Sequence, residues 1–360
     1  MGRIRLLLLV LGALVFAAPA SAGSGSELSG IIARAEQLRG LTTTRPLAVS
    51  TVSAKGMQRE VESELQHERL PRSDAAWDDA LHLLGVLEDD QTLAAVERRA
   101  LTGQVAGIYV PRNRRLYVLG AGGSAPRSVI AHEVVHALQD EHFHLTRGAF
   151  APHPADRDGM LAAQALVEGD ATDVQSRYVA GLSPLDLVSE LGRTLRATPD
   201  AGAVDVPAFL QHEIVYPYTA GQEFVRALRA RGGQRLVDRA FRHPPRTTAA
   251  VLDPARYLAG DPLPQAVRLP RGTYRFSTTF GAEDLVALTG REGLARTWLG
   301  GRLGVGTRGL DLRLAVRNAA SVAAALKRVL PTAAAVVARG RLVCVRITNT
   351  NASVPPLSCR

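Results

Sequence analysis

The stretch Ser128–Phe143, SVIAHEVVHALQDEHF, places two histidines four residues apart, with a glutamate directly after the first, inside an otherwise apolar run. On a 3.6-residue helix His132 and His136 differ by only about 40° in azimuth, so both imidazoles reach one metal. Glu133 stands about 100° away, where it can address a water at that metal without ligating it. Ile130, Ala131, Val134, Ala137 and Leu138 bury the helix, and a charged triplet within it is expensive unless it has a partner. H-E-x-x-H therefore points to a metal-binding helix. The competing reading is a core helix with two hydrogen-bonded imidazoles.

Two histidines do not complete a catalytic zinc site, which usually has three protein ligands and an open position. Two residues compete for the third place. His142 lies ten residues after His132, the spacing of H-E-x-x-H-x-x-G-x-x-H, but Gln139 stands where that motif has its turn glycine. A non-glycine residue tolerates such a turn poorly. Glu168, in AQALVEGDATD, lies on a second predicted helix, where Leu161, Ala165, Glu168 and Thr172 share one face. Gly169 in that helix costs about 1 kcal/mol relative to alanine and predicts close backbone packing against the first helix. With H-E-x-x-H upstream, Glu168 is the preferred third ligand. Asp140, Asp170 and Asp173 are candidate acceptors that orient the ligand imidazoles, with solvated charges as the alternative. His142, His144 and His153 form a local histidine-rich patch, read as adventitious metal binding or loop hydrogen bonding.

The chain opens on MGRIRLLLLVLGALVFAAPASAG, a basic start (Arg3, Arg5), an apolar run and the small residues Ala20-Ser21-Ala22. That is the pattern of a secretory leader over 1–22, and the expectation is a secreted or cell-envelope protein. In an exported chain Cys344 and Cys359 are read as a disulfide, with two free thiols as the alternative. The net charge of +9 comes from basic residues scattered among acids, and aromatic residues are sparse, which argues against a nucleic-acid partner. Loose association with an anionic envelope remains compatible with that charge.

Helices are predicted over 27–40, 54–70 and 74–101, with a strand at PLAVSTV and a hairpin at GIYVPRNRRLYV (107–118). Ser124 is the predicted cap of the H-E-x-x-H helix, with Pro126 in its first turn. Helices over 159–179 and 184–250 follow, broken at ATPDAGAVD, RGG and HPP. Beyond Pro270, TYRFSTTF, GRLGVGT, LDLRLAVR and RLVCVRIT read as strands alternating with helices near 281–297 and 318–329. The expected class is α+β: a mainly helical domain with a small sheet over 27–270, a small α/β unit over 271–345, and a tail over 346–360.

HEVVH followed by LVEGDAT resembles the gluzincin zinc peptidases, whose third ligand is a glutamate often written E-G-x-A. The chain more closely resembles a group of secreted bacterial metallopeptidase-like proteins, with a hairpin like GIYVPRNRRLYV, then HEVVHALQDEHF, ALVEGDAT and YPYTAGQEFV in that order. The likeness spans roughly 35–260. Val110-Pro111-Arg112 departs from it where an acidic residue commonly follows the first strand. The resemblance implies a zincin-like fold, Zn2+ held by His132, His136 and Glu168, and Glu133 as general base in peptide-bond hydrolysis. It further implies a Tyr or His donor to the oxyanion, for which Tyr218 is the candidate and His212 the alternative. The hairpin is expected beside the active-site helix, where its edge either pairs with an extended substrate or simply ends the sheet. The expected partner is a peptide or protein substrate. The alternatives are a zinc-binding or degenerate envelope protein and a zinc hydrolase of a cell-wall amide.

Overall fold

The computed structural model describes residues 25–67, 71–101, 105–120, 125–151, 153–197, 206–348, 357 and 359. The expected leader over 1–22 and the expected cap at Ser124 lie outside the described residues. Helix α1 (Gly25–Arg39) leads into strand β1 (Ala48–Val52), then α2 (Ala54–His67), α3 (Pro71–Leu83) and α4 (Leu93–Leu101). The hairpin forms as its sequence predicts: residues 111–114 fold β2 (Gly107–Val110) antiparallel onto β3 (Arg115–Leu119). β1 joins β3 in parallel, which leaves β2 at the edge of this three-stranded sheet.

The next helices are α5 (Arg127–Phe143), α6 (Arg157–Ala180), α7 (Pro184–Ala197), α8 (Ala208–Arg242), α9 (Thr248–Leu252) and α10 (Pro254–Leu258). α5 has no solvent face over Ser128–Asp140, where every residue is buried. A helix buried all round sits at the centre of its domain. Its opening is capped from elsewhere: Pro126 offers no side-chain acceptor, and buried Glu190 of α7 accepts the Arg127 and Ser128 amides at 2.9 and 2.7 Å. A carboxylate there satisfies two orphan N–H groups and meets the positive end of the helix dipole.

Gly169 does mark a close approach, but to α8 rather than α5. A methyl group at Gly169 would overlap the Gly221 backbone, and one at Gly221 would overlap the Ala165 carbonyl. The expected contact with the H-E-x-x-H helix is therefore corrected: α6 presents Glu168 towards α5 and the adjacent Gly169 towards α8, as neighbouring residues about 100° apart must. α8 in turn bends at Gly232 and Gly233, which leave helical dihedrals (Gly233 φ 67°) where RGG predicts a break.

The C-terminal part comprises β4 (Tyr274–Thr279), α11 (Ala282–Thr289), β5 (Trp298–Gly306), β6 (Gly309–Val316), α12 (Ala319–Val329), β7 (Ala335–Arg339) and β8 (Leu342–Thr348). Its sheet has the order β4-β5-β6-β8-β7, and every pairing is antiparallel, so the unit is α+β rather than the expected α/β. β7 is a strand the sequence pattern did not announce; it lies at an edge and is half exposed. Register explains the layering. Leu303, Leu312 and Val345 stand side by side on one face, while Gly304, Asp311 and Arg346 do so on the other, where Arg346 pairs with Asp311 at 2.9 Å. The apolar face packs with α11 and α12, and also with Leu81 of α3, Leu84 just beyond it, Val96 of α4 and Phe209 of α8. The boundary near 270 thus marks a change of secondary structure, not a break in the core. Cys344 and Cys359 are bridged, which returns the tail to β8.

Candidate metal centre

α5 and α6 bring His132, His136 and Glu168 together, all fully buried, with one ligand atom from each within 4.8 Å of the others. Glu168 Oε2 lies 3.3 Å from His132 Nε2 and 3.5 Å from His136 Nε2. Those separations are long for charge-assisted hydrogen bonds, which run about 2.7–2.9 Å. They match the roughly 3.4 Å between two ligand atoms each about 2.0–2.1 Å from one tetrahedral ion. Neither Nε2 atom has a hydrogen-bond partner. Two buried, orphaned nitrogens aimed at one carboxylate form a group able to hold a metal ion.

The far side of each imidazole explains the aim. His136 Nδ1 faces Gln139 Oε1 at 2.9 Å, and His132 Nδ1 faces Gln175 Oε1 at 3.1 Å. Gln139 is held the right way round, because its Nε2 donates to Val167 O at 3.0 Å and Asp170 Oδ2 at 2.9 Å. Its oxygen must therefore accept from Nδ1–H, which leaves the lone pair on Nε2. Burial keeps both rings neutral, lowering the His132 pKa and bringing that of His136 down to about 4. The chain continues outward. Arg39 of α1, fully buried, donates to Asp170 at 2.6 Å and to Asp238 of α8 at 2.7 Å, and its guanidinium lies against the stacked rings of Phe143 and Phe241.

Glu133 lies alongside. The Tyr109 amide of β2 donates to its Oε2 at 2.7 Å, while Oε1 has no hydrogen-bond partner. Burial, with Glu168 adding to it, raises the Glu133 pKa well above the usual carboxyl value. Burial raises Glu168 too, against the pull of His132 and of the Tyr218 hydroxyl. The Tyr218 ring stacks 6.3 Å from that of His132. A divalent cation at this point would offset the burial of both carboxylates at once.

No protein-family model, curated protein or solved structure matches the chain.

Several expectations change here. None of the three aspartates touches an imidazole. Asp140 accepts from the Tyr109 hydroxyl at 3.0 Å, Asp173 is held by Arg177, Arg226 and Arg229, and Asp170 acts on His136 only through Gln139. An amide does what was assigned to a carboxylate, because Gln139 sits one turn beyond His136 and Gln175 two turns beyond Glu168. His142 bonds the Thr42 carbonyl at 2.9 Å and is not in the group. His212 lies beside Glu283, 3.4 Å away, on another side of α8. β2 is the sheet edge beside α5, as expected, but its Tyr109 amide is already occupied by Glu133. Arg112, at the departure from the resembled pattern, pairs with Glu64 of α2 at 2.6 Å.

Proposed function

We propose that the chain is an exported zinc-dependent hydrolase of gluzincin type, cleaving peptide bonds in a zincin-like helical domain. The observation that carries the reading is the meeting of two orphaned imidazole nitrogens and the Glu168 carboxylate, with Glu133 beside them. Two neutral imidazoles and one carboxylate are a donor set that suits catalytic Zn2+. Zinc supplies Lewis acidity, polarising a carbonyl and easing deprotonation of water.

The residues do the rest. The Tyr109 amide fixes one oxygen of Glu133 and leaves the other to take a proton from the attacking water. The same carboxyl then delivers that proton to the departing amine. Tyr218, stacked on His132 and reaching Glu168, is the candidate donor to the developing oxyanion. A site that only binds metal has no use for Glu133, which favours turnover over a binding role. Peptide bonds are preferred to other amides on the resemblance of HEVVH and LVEGDAT to zinc peptidases.

The test is zinc content per chain together with chelator-sensitive cleavage of a broad peptide library, for the wild type and Glu133→Gln. One zinc in both, with cleavage only by the wild type, is the expected result. Bound zinc with no peptide cleavage by the wild type would leave a binding protein or a cell-wall amidase. Absence of zinc would overturn the reading.

A further inference from the structure

A second site lies away from the metal group. A cavity of about 840 Å³ opens between α8, α9, α10, α11 and the turn at 292–297, and none of the three metal-group residues lines it. It is bounded by Ala220 and Glu223 of α8, and Ala220 is about 200° round the helix from Tyr218. Its volume is in the range of small-molecule pockets.

The cavity floor carries a buried acid that the fold leaves unserved. Three carboxylates meet at this corner. Asp158 accepts from the Thr248 amide at 2.9 Å and hydroxyl at 2.6 Å. Asp284 accepts from the Gly281 amide at 2.6 Å and faces Arg157 at 3.5 Å. Glu283 is the one that lines the cavity; it is 2% exposed, and its Oε1 has no hydrogen-bond partner. The nearest basic side chain is His212, itself half open to solvent, at 3.4 Å. A buried carboxyl oxygen without a donor is unfavourable, so a donor from a ligand is favoured there.

The remaining lining completes a ligand of definite chemistry. Val215, Leu252 and Val286 give the cavity an apolar wall. Arg296 and Arg317 stand exposed at its rim, and neither is paired with an acid among the described residues. We infer that this cavity binds a short apolar peptide with free ends, its ammonium on Glu283 and its carboxylate at Arg296 and Arg317.

The test uses the full chain carrying Glu133→Gln, so that no probe is cleaved, titrated calorimetrically with Leu-Leu, N-acetyl-Leu-Leu and Leu-Leu amide. Leu-Leu is expected to bind with a Kd of about 1 mM or tighter, and acetylation to weaken it by about tenfold or more. Adding Glu283→Gln should weaken Leu-Leu by a similar factor, and amidation should weaken it several-fold. The acetylated probe keeps the test valid should Glu283→Gln unfold. No binding of Leu-Leu at about 10 mM would overturn the inference. Equal affinity for the acetylated probe would do the same, since only the apolar wall would then be at work.

Discussion

Two corners of this molecule bury carboxylates, and they differ in where their unserved atoms point. At α5 and α6 the outward nitrogens of His132 and His136 are bound by Gln175 and Gln139, and the inward ones converge on Glu168. At α6 and α11 the acids are served one by one, by Thr248, Gly281 and Arg157; Glu283 Oε1 and Asp284 Oδ1 are left without a hydrogen bond, and of the two only Glu283 lines the cavity. Convergence of several orphaned atoms suits an ion. A single one, beside a cavity, specifies a donor of ordinary size. Burial is equal in the two corners and decides neither.

The largest effect that would break this contrast is loss of the ion. Zinc at about a thousand times its Kd should stabilise the fold by about 4 kcal/mol, read as an upward shift of the calorimetric transition. The shift should vanish in Glu168→Ala and His136→Ala. A wild type whose transition ignores zinc would place both corners in the same class.

Next comes the crossing that holds the corners apart. Gly169→Ala sets a methyl group against the Gly221 backbone, and should destabilise the chain by about 1–3 kcal/mol or more in urea unfolding. This crossing shows how far the sequence could be read. HEVVH and the face carrying Glu168 follow from helical spacing, because ligands on one face of a helix are a local property. That Gly169 meets Gly221, 52 residues on, is not local, and neither is the tie of Arg39 to Asp170. Gln139 was legible only as a missing glycine; its role as the acceptor for His136 depends on Val167 and Asp170 holding its amide one way round. β7 escaped notice because a short alanine- and valine-containing edge strand has little alternation to reveal it.

A smaller effect sharpens the metal corner. Gln139→Leu removes the acceptor for His136 and leaves Asp170 to Arg39 alone, and should weaken zinc by about 10–100-fold in chelator competition. Gln175→Leu, whose contact is longer at 3.1 Å, should weaken it less. Equal losses would show that the imidazoles are positioned by packing alone.

The last effect belongs to the other corner and is read in pH. Burial pushes Asp158 up to about 7 and Glu283 up to about 8. Both lie above the unfolded carboxyl range near ~4, so between these values the folded chain holds protons that the unfolded chain has released. Their contribution is fully present below about pH 4 and is lost as pH rises through 7 and 8, at up to about 1.4 kcal/mol per unit for each group. Urea midpoints from pH 5 to 8 should fall for the wild type and fall less steeply for Asp158→Asn. Parallel slopes would mean that Thr248 already stabilises the charged form of Asp158.

The Arg39 guanidinium has a further consequence, in time rather than in space. It comes from the first described helix, while its two anions are 131 and 199 residues downstream. As the chain emerges from its N-terminus, H-E-x-x-H and Glu168 are present well before Asp238. The foundation under His136 closes only when the bent end of α8 arrives. On the proposed function, a metal taken up earlier would meet ligands not yet braced, so tight binding would be a late event in folding, and a nascent or truncated chain ending before residue 238 should exchange zinc more readily than the finished protein.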